Sequence, residues 1–268
     1  MNCFWIENSE TMLIELREAS DRVAMIPLAS IESHGPHLPL GSDPIVADHV
    51  MRRVAAQETV AILPTLPYSY VGEARMLPGA IHMGADLVQQ MVERMCDEIY
   101  RNGFDKIVLC HMHGGNIPLH TGFTKKMLEA DKPYAVYSLP VLLGEALKSA
   151  ADLLEADEQG HACEMETSMN MVACPDLVRL DLLGERTFPG QPTPNVGLAA
   201  TPVDWVAKYP DMAVGQPQFA TKEKGEIIVK AWADAVVKHL RLIKQDQIVP
   251  REMARYVQRS NSLRNTNG

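Results

Sequence analysis

The sequence predicts an α/β fold built on a mostly parallel sheet. Three observations carry that expectation. Four short apolar runs recur along the chain, at residues 23–29, 60–63, 106–110 and 134–137. Strands of a parallel sheet read this way because helices cover both of their faces. Longer stretches with helical spacing separate the runs, and strands alternating with helices favour parallel crossover connections. Finally, 46% of the 268 residues are hydrophobic, enough for a substantial core.

The elements follow in order. Residues 23–29 form the first strand, which ends just before a polar cluster. Pro44 suits the first turn of a helix because its missing N–H is not needed there, and a helix is expected over 45–56. Residues 60–63 are the second strand. After Gly84, the side chains of Val88, Met91, Met95 and Ile99 fall on one stripe of a helix spanning 85–102, and Gly103 ends it as a C-terminal cap. The third strand is 106–110, with 111–116 as the loop at its C-terminal end. A helix over 119–129 precedes the fourth strand, 134–137. Helix, loop and helix are expected across 141–171. The stretch 184–217 is rich in Pro and Gly and reads as a long surface excursion of the kind that shapes active sites. Thr221 can cap a final helix running to about residue 244, and 264–268 reads as a frayed tail. No repeat, low-complexity tract or linker interrupts the chain, so residues 1–268 are expected to form a single domain.

Composition excludes some functions. Acidic residues outnumber basic ones 34 to 25, for a net charge of −9, which argues against a nucleic-acid surface. The five cysteines are scattered with no CxxC, so a reducing cytoplasm is the natural setting rather than a disulfide framework. There is no leader pattern at the N-terminus and no apolar run of the ~18 residues a membrane span needs. A soluble, cytoplasmic protein is expected, with no nucleic-acid or membrane partner.

Three polar clusters carry chemistry. The first is Glu32-Ser33-His34-Gly35-Pro36-His37-Leu38-Pro39-Leu40-Gly41-Ser42-Asp43. Glu32 and His34 lie two apart and share a side of an extended segment. The Gly and Pro residues make a tight loop that can return Asp43 towards them. Two carboxylates and an imidazole form a ligand set for Zn²⁺, Mn²⁺ or Fe²⁺. The second cluster is His111-Met112-His113-Gly114-Gly115-Asn116, and the third runs from Gly160 through His161 to Glu166 and Ser168. Each alone has a structural explanation: a turn, a glycine loop, and, for Glu164 and Glu166, solvated helix positions. Together, with at least two of them at strand ends where open parallel sheets bind ligands, they are hard to explain without a metal or substrate.

These residues resemble the creatininase (creatinine amidohydrolase) family. The match runs through Glu32-Ser33-His34-Gly35-Pro36-His37-Leu38-Pro39 with Asp43, then His113-Gly114-Gly115-Asn116, then His161 with Glu166-Thr167-Ser168. Weaker matches are Leu77-Pro78-Gly79-Ala80-Ile81 and Gly215-Gln216-Pro217 with Ala220-Thr221 and Gly225, so the resemblance covers about residues 23–240. It implies a three-layer α/β/α sandwich, two divalent metal ions and a homohexamer. It implies metal ligands at Glu32, His34, Asp43 and His113, with Asp43 bridging the ions, and His161 as a catalytic acid/base. One departure matters. Creatininase itself carries a metal-binding glutamate two residues after the histidine matching His113, where this chain has Gly115. Family members with the same GGN form use a glutamate matching Glu166, which is adopted as the fifth ligand. A second departure lies at 68–76, a segment expected to contact substrate. His37, Glu73, Arg75 and Asn116 are candidates for substrate binding, His37 and Asn116 having equally plain bracing roles.

The activity implied is hydrolysis of a C–N bond in a small, cyclic or formamide-like amide, by a metal-activated water. The alternative within hydrolases is C–C cleavage that opens a cyclic ketone such as a keto-inositol. From another class, the chain is read as a non-catalytic metal or small-molecule binding module, against which the retention of His161 with all five ligands speaks.

Overall fold

The computed structural model describes residues 1–140, 148, 151–193 and 195–262. Four strands form one parallel sheet: β1 (Val23–Leu28), β2 (Ala61–Ile62), β3 (Lys106–His111) and β4 (Ala135–Leu139), in the order β2-β1-β3-β4. Met25 lies opposite Ile62 on one side and Val108 on the other. Every residue of β1 and β3 is buried, which explains the apolar runs 23–28 and 107–110 within them.

Alternation along the strands builds two cores. Val23, Met25, Val108 and Cys110 face one layer, while Ala24, Ile26, Leu28, Ile107 and Leu109 face the other. The first layer holds α2 (Ser42–Ala55) and, later in the chain, helices at Glu164–Ala173 and Lys222–Gln245, with Trp232 fully buried among them. The second layer holds α1 (Glu10–Ala19), α3 (Ala85–Arg101) and α4 (Asn116–Lys126), which bring Leu16, Val92 and Phe123 onto the sheet. The result is the expected three-layer α/β/α arrangement. We number the remaining helices α5 (Glu164–Ala173), α6 (Asp204–Lys208), α7 (Lys222–Gln245) and α8 (Ile248–Ser262). Buried Lys106 closes the far end of α7 by donating to the carbonyls of Ile243 and Lys244 at 3.0 and 2.7 Å.

Several boundaries differ from the sequence reading. The second strand keeps only two paired residues. The helix expected at 119–129 starts at Asn116, so it springs directly from the glycine loop. The first part of the helix-loop-helix expected over 141–171 falls mostly on residues outside those described, and so does the tail 264–268. The excursion 184–217 is largely exposed, but it contains α6 and is closed at its base by a bridge between Phe188 and Gly215. Helices α1 and α8 were not anticipated. Among the described residues, no helix is long and apolar enough to cross a membrane.

The topology places a crevice. From β1 the chain crosses through α2 to β2 on one side, whereas from β3 it crosses through α4 to β4 on the other. The connections leaving neighbouring β1 and β3 thus diverge, and a crevice opens beyond their C-terminal ends. Both leading motifs emerge there.

Candidate metal centre

The segment after β1 is held from several directions. The N–H of Glu32 donates to the carbonyl of Leu40 at 3.1 Å, that of Ile81 to Ile31 at 3.1 Å, and that of Gly35 to Met212 at 3.0 Å. Gly35 takes φ of +63°, a conformation open to glycine at little cost, and this turns His34 inward and His37 away. Asp43 and Glu166 both lie in the first turns of helices, α2 and α5, where the positive end of the helix dipole favours a carboxylate. His113 comes from the loop after β3, and His161 from the loop before α5.

These side chains converge. Asp43 divides its oxygens: Oδ1 lies 3.0 Å from His34 Nε2, and Oδ2 lies 3.2 Å from His113 Nδ1. Glu32 Oε1 is 2.8 Å from the same His113 nitrogen, and Glu166 Oε2 is 3.8 Å from His34 Nε2. Two donor groups result, Glu32–Asp43–His113 and His34–Asp43–Glu166, each with its ligand atoms within 4.8 Å of one another, and a third joins Glu32, His34 and His161. Glu32 and His34 are 2% and 1% exposed, so water does little to screen them.

Electrostatics follow from the packing. Burial would raise the Glu32 carboxyl, but the charges of His113, His161 and His34 outweigh it and hold the group at about 2. Burial would lower His34, yet Asp43 beside it, with Glu166 and Glu32, raises it to about 9. His113 is raised well above its ordinary value in the same way, against its burial, chiefly by Glu32 and Asp43. Asp43 is held far below the carboxylate range by His34 and His113 despite its burial. Glu166 differs: its burial dominates and its carboxyl is raised. The imidazolium rings thus supply the positive charge that three converging carboxylates demand. His113 Nε2 is buried with no partner. An imidazole and carboxylate donor set with this spacing fits divalent Zn, Mn or Fe.

His161 is poised differently. Its Nε2 lies 2.6 Å from the carbonyl oxygen of Ser33, which only accepts, so Nε2 carries hydrogen and Nδ1 is the basic nitrogen of the neutral ring. Its ring lies 4.1 Å from that of His34 and meets the half-buried Trp205 of α6 edge-to-face at 6.4 Å. Trp205 belongs to no motif, and nothing in the sequence pointed to it.

The other candidates sit outside the three donor groups. His37 Nε2 shares a hydrogen bond of 2.8 Å with Thr167 of α5, and burial, then the charge of His34, lowers it to about 4. Asn116 donates from Nδ2 to the carbonyls of Leu28 and Ala29 at 3.3 Å, bracing the end of β1. Glu73 is half-buried and Arg75 exposed, in a single helical turn at Gly72–Met76. Glu164 corrects the reading of a solvated position: it is fully buried, accepts the N–H groups of Glu155 and Ala156 at 2.9 and 2.8 Å, and pairs with Lys224. Gly115 also gains a physical reason, because a Cβ there would lie 2.5 Å from His113 Nε2.

Comparison with known proteins identifies the family. A family model described as creatininase, creatinine amidohydrolase, matches residues 8–240. The creatinine amidohydrolase of Pseudomonas putida is 24% identical over 241 residues, covering 83% of this chain and 90% of that protein. A mycofactocin precursor peptide peptidase of Mycobacterium ulcerans is 28% identical over 233 residues, covering 81% and 83%. The 3-dehydro-scyllo-inosose hydrolase of Thermotoga maritima is 23% identical over 249 residues, covering 82% and 77%. A solved structure designated creatininase Mn shares the fold, with a TM-score of 0.76 at 21% identity over 92% of this chain and 100% of the other. Its motif residues gathered in one crevice, and matched by the family model along most of its length, the chain belongs to the creatininase family of hydrolases.

Proposed function

We propose that this chain is a dinuclear-metal-dependent amidohydrolase acting on the C–N bond of a small, cyclic or formamide-like amide. The observation that carries the reading is the division of Asp43, whose two oxygens serve separate imidazoles in two donor groups. A carboxylate so placed is a natural bridge between two cations. Glu32 and His113 would complete one subsite, and His34 and Glu166 the other. When bound, the ions supply Lewis acidity and lower the pKa of water from about 15.7 towards about 7.

The protein's own groups do the rest. Hydrolysis places the oxygen of water on the carbonyl carbon and a proton on the departing nitrogen. His161 is the proton carrier: Ser33 fixes its tautomer, so Nδ1 is the nitrogen that takes and returns the proton. Trp205 meets that ring edge-to-face at 6.4 Å. Asn116 braces the strand end that carries the site, and His37 braces α5 through Thr167.

Two relatives, an amidohydrolase and a peptide peptidase, support C–N cleavage; the inosose hydrolase supports C–C ring opening as the second reading. Assay of purified, metal-loaded protein on creatinine, formamides, lactams, short peptides and keto-inositols separates them. Turnover of a keto-inositol with none of any amide reverses the order. Elemental analysis of the same protein gives the metal: fewer than two ions per chain refutes the dinuclear reading.

A further inference from the structure

Ser30 stands two residues beyond β1 and is fully buried. Its Oγ lies 2.6 Å from Asp43 Oδ2 and 2.9 Å from Glu32 Oε1. A serine hydroxyl has a single hydrogen, so between two ionised carboxylates it donates to one at a time. The distances choose: charge-assisted O–H···O⁻ bonds run about 2.5–2.7 Å, which fits the contact to Asp43 and not the one to Glu32.

The base under this hydroxyl is firm. Asn116 Nδ2 donates to the carbonyls of Leu28 and Ala29 at 3.3 Å, and the N–H of Ala29 donates to Leu66 at 2.9 Å. Ser30 therefore reaches Asp43 from a clamped strand end, and Asp43 answers from the first turn of α2. With Oδ2 tied to Ser30, the plane of the carboxylate is set, and Oδ1 is left facing His34 at 3.0 Å.

We propose that Ser30 is the positioning residue for the carboxylate shared by the two metal subsites, so that both ions depend on its hydroxyl. The proposal rests on the dinuclear reading above. It makes a distinguishing claim: loss of the hydroxyl weakens both subsites together. A hydroxyl serving Glu32 instead would weaken only the subsite that Glu32 completes.

The test is equilibrium titration of metal-stripped protein with Zn²⁺ against a chromophoric chelator, and with Co²⁺ followed by its visible absorption. Wild type is expected to take up two ions. Ser30→Ala is expected to bind both with affinity lowered about 10–100-fold at each step, the usual effect of losing an outer hydrogen-bond partner of a ligand. Ser30→Thr, which keeps the hydroxyl, is expected to recover most of the loss, a recovery that a general packing defect would not show. Should Ser30→Ala fail to fold, Ser30→Gly removes the same hydroxyl and takes its place. Loss confined to one ion, or unchanged binding of both, overturns the role of Ser30 while the metal centre stands. Wild type that takes up fewer than two ions overturns the dinuclear reading and this proposal with it.

Discussion

Replacing Gly115 with alanine tests whether His113 is held where a ligand must be. A Cβ at this position would lie 2.5 Å from His113 Nε2, against about 3.4 Å for ordinary contact, so the ring must retreat by about 0.9 Å. The same ring donates from Nδ1 to Glu32 Oε1 at 2.8 Å and lies 3.2 Å from Asp43 Oδ2. A displacement of that size breaks the bond to Glu32. A hydrogen bond to a charged group contributes about 1.5–3 kcal/mol. The opposing effect is small. Gly115 has φ of −61° and ψ of −21°, which alanine adopts freely, and stiffening the unfolded chain would stabilise by about 0.4–1 kcal/mol. The loss wins, leaving a net destabilisation of about 1–2 kcal/mol and metal affinity lowered at least about tenfold. Urea unfolding at pH 7 and Zn²⁺ titration measure the two. A variant that is more stable than wild type and binds zinc equally well would refute the reasoning. By the same geometry, Gly115→Glu is expected to displace His113 rather than add a ligand.

Four further outcomes follow. Metal must displace the proton of His34, raised to about 9, and that of His113, raised well above its ordinary value, so apparent affinity is expected to climb as pH rises towards about 9, about tenfold per unit for each proton displaced; calorimetry in buffers of different ionisation enthalpy counts those protons, and pH-independent binding would sink the idea. For metal-stripped protein the sign reverses: the raised His34 contributes stability that is full below 6.5 and is lost as pH rises through about 9, while Glu32, held at about 2, contributes stability present above 4.5 and lost as pH falls through about 2, both readable in melting temperature against pH. His161→Ala is expected to keep both ions and lose about 10²–10⁴-fold in kcat, and unchanged turnover would remove its assigned role. Lys224→Met leaves the buried Glu164 charge without its cation, at a cost of about 3 kcal/mol in urea unfolding even though backbone N–H groups remain on it; an unchanged midpoint would show that those N–H groups suffice.

Strands β1 and β3 were legible because burial on both faces leaves no polar alternation to confuse them. Helix α3 was legible because the stripe read through Val88, Met91, Met95 and Ile99 lies beside the buried one, Val88, Val92, Cys96 and Ile99, with Met91 and Met95 half-buried at its margin. Helix α1 buries only Leu16, and α8 buries nothing, so neither is anchored in the core that the strands and α3 share. The ligand residues were legible for a different reason: Gly, Pro and closely spaced ionisable groups in a loop signal a backbone shaped around a ligand. Ser30, Glu164 and Trp205 were not. A serine beside a strand, a glutamate in a first turn and a tryptophan in a short helix acquire meaning only from partners 13, 60 and 44 residues away: Asp43, Lys224 and His161.

The two subsites are unequal, and the inequality orders their filling. The Glu32–Asp43–His113 group is compact, with His113 Nδ1 2.8 and 3.2 Å from the two carboxylates, and both carboxylates are held ionised across the physiological range. Glu166 is the outlier. Its burial, reinforced by the charge of Asp43, raises its carboxyl; His34 lies 3.8 Å away, and the N–H of Ala162 already donates to its Oε2 at 2.6 Å. A cation entering the His34 subsite must therefore compete with a backbone donor and with whatever proton Glu166 holds, whereas one entering beside Glu32 meets carboxylates already charged. Binding is expected in two steps, the Glu32–Asp43–His113 subsite first, with the gap between them widening as pH falls. Glu166→Gln, which removes the charge and keeps the shape, is then expected to abolish the second step and leave the first within a few-fold of wild type. Co²⁺ absorption reads both steps separately, and loss of the first ion in that variant would show that the subsites are filled as a unit rather than in turn.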